Sequence, residues 1–119
     1  LLDRSFLSTL VYQGLVGGIS LEFLEELARQ VHGDAWPRRI LLLDLSQSER
    51  QSRRKARNEV EDGFESRGPD YLESIAEAFR TLQARRPELV HLIDAAGSPS
   101  EVTARIERDL ADLLPELGP

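Results

Sequence analysis

Two short, mainly apolar runs constrain the fold more than any other feature of this sequence. They occupy residues 40–45 and 89–94, and each carries an aspartate at or near its end. Apolar runs of this length, bounded by turn residues, are typical of strands buried on both faces of a parallel sheet. Leu1 and Leu2 look like the end of a further strand of the same kind. The sequence therefore predicts an α/β fold.

Helices are predicted between these strands. Ser20 is a plausible N-cap for an amphipathic helix over residues 21–31, which we expect to pack on the sheet. An apolar stripe predicts another helix over residues 69–86. The order of strand, helix, strand, helix, helix, strand, helix is typical of a parallel sheet with helices on its faces.

Each apolar run is followed by a signal for a helix start. Ser46 with Glu49, and Ser98 with Glu101, have the spacing of capping boxes. Both helices therefore leave from the carboxyl ends of strands. The three glycines within residues 14–18 are expected to break the first helix and form a mobile or tightly turned loop.

Polar side chains gather after the first strand. Asp3 and Arg4 lie at its carboxyl end, where open α/β sheets place their ligand crevice. On an α-helix the polar residues that follow would share one face or lie on its flank; they are Ser8, Thr9, Tyr12 and Gln13. The alternative interpretation is a strand end with a salt bridge and a helix cap.

The helix after residue 46 is basic. Residues 50–57 contain five cations and almost nothing apolar, so this helix is either a solvated surface or serves a ligand. Its position at the carboxyl end of a buried strand favours a ligand. Arginines there would bind phosphate oxygens in a forked geometry and stabilise charge on a transferring phosphoryl group.

Composition limits the class of protein. The chain has 119 residues and a net charge of -6, which suits one domain and argues against general nucleic-acid binding. No apolar run approaches the roughly 18 residues of a membrane helix. The absence of cysteine from the sequence is compatible with a cytoplasmic location, which we expect.

The ordered set Asp-Arg-x-x-x-Ser-x-x-x-Tyr-Gln-Gly at residues 3–14 closely resembles the segment that follows the third strand of thymidylate kinases. The resemblance implies a P-loop nucleoside monophosphate kinase fold. It also implies phosphoryl transfer from ATP to dTMP with Mg²⁺, which gives ADP and dTDP. In that family the Asp-Arg pair lies beside the phosphates, and the Ser/Thr, Tyr and Gln positions line the dTMP pocket.

The resemblance assigns roles to further residues. It implies that residues 47–68 form a lid helix and loop. The candidate catalytic residues are Arg4, Arg53 and Arg57, and Arg53 and Arg57 remain alternatives for the lid arginine. The candidate ATP-binding residues are Lys55, Asp94, Ala95 and Ala96, the last three in a loop like the one that borders adenine. Asp3 is the candidate magnesium ligand, acting through water.

The sequence also departs from the family. Gly17 and Gly63 stand where arginines occur in many members, and the phosphate-loop pattern G-x-x-x-x-G-K-[ST] does not occur in these residues. The chain begins with Leu1 and contains no methionine. We therefore expect residues 1–119 to be a single partial domain, the C-terminal half of a kinase, which is inactive and unstable alone.

Other functions stay open at this point. One is a related kinase with another nucleoside or nucleoside monophosphate acceptor. Another is a non-catalytic interaction module that kept the fold and lost activity. The resemblance also implies a homodimer, with the helices predicted at 21–31 and 69–86 as candidate contact surfaces.

Overall fold

The computed structural model of the chain describes residues 4–57 and 68–117. The elements, in chain order, are α1 (Phe6–Thr9) continued by a π-helix (Leu10–Val16), α2 (Leu21–His32), a 3₁₀ turn (Gly33–Ala35), β1 (Ile40–Asp44), α3 (Gln47–Arg57), α4 (Pro69–Arg85), β2 (Val90–Asp94), α5 (Pro99–Asp109) and a 3₁₀ helix (Leu114–Leu117). Both predicted apolar runs are strands, and the α/β class is confirmed.

The two strands form a parallel sheet within the described residues. They pair from Ile40 with Val90 through Asp44 with Asp94. The pairing continues past the strand ends, because the Ala95 amide donates to the Asp44 carbonyl at 2.9 Å. Both carboxyl ends therefore lie at one edge of the sheet, and α3 and α5 begin beyond that edge.

The caps that start the helices are those predicted from sequence. Ser98 accepts from the Glu101 amide at 3.2 Å, and the Glu101 carboxylate accepts from the Ser98 amide at 3.0 Å. Ser46 accepts from the Glu49 amide at 3.3 Å. Ser20 does the same for the Phe23 amide. These bonds satisfy amides that the first helical turn leaves unpaired.

The core lies between the first helix, α2, α4 and one side of the sheet. Its buried members come from four elements and exclude water from their contact surfaces; they are Leu7, Leu10, Val11, Leu24, Ile75, Ala78, Leu82 and Val90. α4 contacts both strands, and α5 packs on β2. The core thus fixes α4 behind the carboxyl edge of the sheet.

The sequence predicts that α2 packs on the sheet, whereas within the described residues α2 packs chiefly on another helix. Its main neighbour is the Phe6–Val16 helical segment, which Leu24 contacts as part of the core. Glu25 also forms an ion pair with Arg86, just after α4. The hydrophobic pattern correctly indicated a helix, but a pattern does not name the surface against which a helix packs.

The first helix ends within the glycine-containing stretch of residues 14–18 as predicted, but Gly14 itself does not break it. Helical structure continues through Gly14 to Val16, with a change from α to π geometry at Leu10. Gly14 is buried, and a Cβ atom there would collide with the Leu21 side chain. Here glycine permits close helix packing, and the chain turns only at Gly17 and Gly18.

Charged groups join α5 to the start of β1. Both terminal nitrogens of Arg39 donate to the Asp112 carboxylate, at 2.7 and 2.8 Å. The Arg39 guanidinium holds the pKa of Asp112 below its ordinary value. Asp109 accepts from the same arginine through its backbone carbonyl and contacts His91 of β2 at 2.9 Å.

Across residues 4–57 and 68–117, no helix has the length and apolar character of a membrane span.

Candidate functional site

A cleft of about 510 Å³ lies at the carboxyl edge of the sheet. Its charged lining consists of Arg4, Asp44, Arg50, Arg53 and Arg54. Its apolar lining comes from β1 and α4 and consists of Leu42, Leu43, Leu45, Leu72, Ile75, Ala76 and Phe79. Four guanidinium groups against one carboxylate favour an anionic ligand, and the apolar wall suits a flat organic group beside it.

Arg4 enters this cleft from the segment before α1. Its backbone has φ +68°, the left-handed region that few residues other than glycine adopt. Such a conformation costs about 1–3 kcal/mol and is concentrated at functional sites. Ser5 follows it and caps α1 by accepting from the Leu7 amide at 3.1 Å. The predicted partner Asp3 lies outside the described residues.

The predicted nucleotide-binding residues of the first helix do not line the cleft. Tyr12 lies nearest, because its ring packs edge-on against Phe79 of the cleft wall, with centroids 6.4 Å apart. Ser8 is half-buried, while Thr9 and Gln13 are exposed. Tyr12 and Gln13 belong to the π-helix. A π-helix has a wider turn than an α-helix, so the predicted α-helical spacing does not apply to these two residues.

α3 places its arginines unequally. Arg53 donates through one terminal nitrogen to the carbonyls of Ala95 and Gly97, at 2.9 and 3.2 Å. Arg54 lines the cleft, and Lys55 is exposed. Arg57 is the last residue of α3, and its side chain is outside the described part of the structure. The helix therefore brings Arg53 and Arg54 to the sheet edge.

An ionic network supports the base of the cleft, and sequence reasoning missed it. Arg80 of α4 donates to Asp44 at 3.1 Å, to Glu73 at 3.2 Å and to Glu77 at 2.9 Å. Chiefly through its bond with Asp44, the network raises the pKa of Arg80 above its ordinary value. The i, i+4, i+7 spacing of the three α4 residues was the available signal.

The same network reaches α3. Arg50 donates to Glu73 at 2.8 Å and to the Leu45 carbonyl at 2.8 Å. Glu73 thus lies between two arginines, one on α3 and one on α4. These bonds hold together the carboxyl end of β1, the start of α3 and the face of α4 that carries Glu73 and Arg80.

The predicted loop after β2 is tightly built. Asp94 accepts from the Ala96 amide at 2.9 Å through its carboxylate, and Ala95 is buried. Gly97 has φ +99°, and a Cβ atom there would collide with the Glu101 carboxylate. Arg105 of α5 donates to the Asp94 and Ala96 carbonyls at 2.8 and 2.6 Å. The structure thus places this loop against Arg53.

Gly17 and Gly63 stand where arginines occur in many family members, and the structure describes only Gly17. Gly63 lies outside the described residues. At Gly17 a Cβ atom would come within 2.8 Å of the Tyr12 and Gln13 carbonyls. An arginine at Gly17 would require a different end to the π-helix, so the contact made by that family arginine has no equivalent in this arrangement.

Metal ligation was predicted only at Asp3. Within the two described stretches, no three His, Cys, Asp or Glu side chains cluster as a metal site.

A parallel α/β unit with an arginine-lined cleft at its strand ends is the architecture of the P-loop nucleoside monophosphate kinases. Residues 1–106 match the family described as Thymidylate kinase. The chain belongs to the thymidylate kinase family, and the resemblance drawn from the sequence is confirmed.

Curated relatives give the extent of the match. The chain is 38% identical over 108 residues to a thymidylate kinase of Rhodopseudomonas palustris strain TIE-1, covering 89% of this chain and 47% of the relative. It is 37% identical over 114 residues to one from Rhizorhabdus wittichii, covering 95% and 55%. It is 40% identical over 116 residues to one from Cereibacter sphaeroides strain ATH 2.4.9, covering 94% and 54%. The chain therefore spans about half the length of these relatives.

Replacing Arg80 tests the network beneath the cleft. Arg80→Met is expected to lower the free energy of unfolding by about 1–2 kcal/mol, because three carboxylates lose their shared, partly exposed cation. Urea denaturation of the complete protein, the product of the whole reading frame that encodes residues 1–119, measures this change. Arg85→Met, an exposed arginine near the end of the same helix, is the control. Equal stability of the two variants would contradict a supporting role for Arg80.

Proposed function

We propose that the complete protein is an ATP-dependent thymidylate kinase, a transferase that converts ATP and dTMP to ADP and dTDP. The bond from the γ-phosphorus to its bridging oxygen breaks, and a phosphate oxygen of dTMP forms the new bond. The observation that carries the proposal is the arginine-lined cleft at the strand ends. Because the chain belongs to the thymidylate kinase family, the phosphates of ATP and dTMP are the anions proposed for this cleft.

The residues of this chain would act by position and charge. Negative charge spreads over the phosphoryl oxygens during transfer, and guanidinium groups fixed beforehand stabilise it. In this proposal Arg4 holds the dTMP phosphate, and Arg53 or Arg57 acts on the transferring group. The nucleoside of dTMP contacts Ser8, Thr9, Tyr12 and Gln13. Because these four residues do not line the cleft described above, the dTMP pocket would extend along the first helix.

The ATP side of the site would use α3 and the loop after β2. Lys55 is exposed and available to the ATP phosphates, while Asp94, Ala95 and Ala96 would border the adenine. Two alanines in succession let a flat base approach the backbone. Asp3 is the proposed contact, through water, for Mg²⁺, which when bound would supply positive charge to the phosphates.

A cytoplasmic location is part of this proposal. The sequence contains no cysteine, which suits a reducing compartment.

A phosphoryl-transfer assay on the complete protein tests the activity. ADP release from ATP is followed with dTMP, with dUMP, dGMP and AMP as alternative acceptors. Turnover selective for dTMP is expected. Turnover with another acceptor instead would show that this acceptor, and not dTMP, is the substrate. Folded protein that turns over none of them would contradict the kinase proposal and favour a non-catalytic interaction module.

The same assay separates the two lid arginines. Loss of an arginine that stabilises the transferring phosphoryl group is expected to lower kcat by about 10³-fold, whereas loss of a ground-state contact raises KM alone. Arg53→Ala and Arg57→Ala are compared with Arg108→Ala, an exposed arginine of α5. If neither variant lowers kcat below that of the Arg108 control, the lid does not supply the catalytic arginine.

We also propose that α2 mediates a homodimer. Phe23, Leu27 and Val31 follow one another at four-residue spacing and are 60%, 47% and 76% exposed. They form one apolar stripe on the helix, which a second copy of the chain would cover. α4, the other candidate from sequence, turns Ile75, Ala78 and Leu82 into the core of its own chain.

A charge placed in the α2 stripe tests this interface. Leu27→Glu is expected to convert a dimer to a monomer, because the carboxylate would lose water on association. Sedimentation velocity of the complete protein measures the change, with Glu22→Gln, an exposed residue on the other side of the helix, as the control. A parent protein that is monomeric, or a Leu27 variant that stays dimeric, would contradict the proposal.

A further inference from the structure

Two arginines from different helices share the carbonyl groups of the loop after β2. Arg105 of α5 donates through one nitrogen, Nη1, to the carbonyls of Asp94 and Ala96. Arg53 of α3 donates through one nitrogen, Nη2, to the carbonyls of Ala95 and Gly97. Four successive carbonyls are thus bound alternately by the two side chains.

The two arginines differ in what they connect. Arg105 lies eleven residues after Asp94, on the helix that the loop itself starts, so its contacts are local. Arg53 lies 42 residues before Ala95, on the helix that leaves β1. Arg105 therefore shapes the loop from within its own segment, and Arg53 joins the shaped loop to α3.

Removal of Arg105 would leave the Asp94 and Ala96 carbonyls without their charged donor. The remaining local contacts are the Asp94 bond to the Ala96 amide and the Ser98–Glu101 capping box. They hold amide groups rather than carbonyls. Carbonyls freed in this way turn toward water, and an exposed loop with fewer bonds samples more conformations.

We propose that Arg105 is a positioning residue for ATP: it holds the Asp94 and Ala96 carbonyls, and thereby orients the Ala95 and Gly97 carbonyls for Arg53. The inference rests on the proposed function, in which this loop borders the adenine. Arg105 touches neither the reacting atoms nor the phosphates in this account. It acts by keeping the loop in the conformation that binds ATP.

The expected effect follows from the population of that conformation. If the loop of a variant without Arg105 adopts the binding conformation only about a tenth of the time, the apparent dissociation constant for ATP rises about tenfold. Arg105→Met is therefore expected to raise KM for ATP about tenfold and leave KM for dTMP unchanged. Arg105→Lys is expected to recover part of the loss, because a single nitrogen makes both hydrogen bonds.

Steady-state kinetics of the complete protein test this expectation, with Arg108→Met on the same helix as the control. Thermal melting of each variant is recorded alongside. A purely structural role for Arg105 would lower the melting temperature and the active fraction without separating the two KM values. An unchanged KM for ATP in Arg105→Met would overturn the inference, as would an equal rise of both KM values.

A double-mutant cycle tests the link to Arg53. If both arginines act through the same loop, the effects of Arg53→Ala and Arg105→Met on KM for ATP combine less than additively. Fully additive effects would show that the two residues act separately and would overturn the link.

Hydrogen exchange gives a measurement that does not depend on turnover. Amides of residues 95–98 are expected to exchange faster in Arg105→Met than in the parent or in Arg108→Met. Unchanged exchange in this loop would overturn the positioning role even in an active enzyme. Faster exchange in a protein that fails to turn over dTMP would instead retain the loop role and reject the proposed function.

Discussion

The parallel pairing of β1 with β2 is the constraint on which the rest of the site depends. Its register sets Asp44 beside Asp94 and brings both strand ends to the same edge of the sheet. A parallel pair requires a long connection, and here that connection contains α3 and α4. The basic helix, the helix that carries Arg80 and the loop after β2 therefore meet where the strands end.

Charge at this edge is arranged in two ways. Arg50 and Arg80 are held by carboxylates and brace the structure, whereas Arg53 is held by backbone carbonyls. Carbonyl oxygens are neutral partners, and the ion pair of Arg53 with Glu49 is long, at 3.8 Å, and exposed, so it compensates the guanidinium charge only weakly. Arg50 and Arg80 therefore support the cleft, whereas Arg53 is suited to bind an anionic nucleotide. All three lie on or against the lining of the same cleft.

Sequence reasoning succeeded where the signal was local. The strands, the caps at Ser20, Ser46 and Ser98, and the family could be recognised from neighbouring residues. It failed where the outcome depended on distant partners, as with the packing of α2 and the carbonyl contacts of Arg53. The π-helix at Leu10 was missed because α-helical spacing was assumed, and Arg105 was missed because one cation on an exposed helix face carries no distinctive pattern.

In the proposed kinase, the first helix, α3 and the loop after β2 form one nucleotide site. The most direct measurement is hydrogen exchange of the complete protein with and without a bisubstrate analogue that joins adenosine and thymidine through a phosphate chain. We expect this analogue to protect residues 4–13, 47–57 and 94–98 together. Binding that leaves these three segments unprotected, or a failure of the folded protein to bind the analogue, would contradict it.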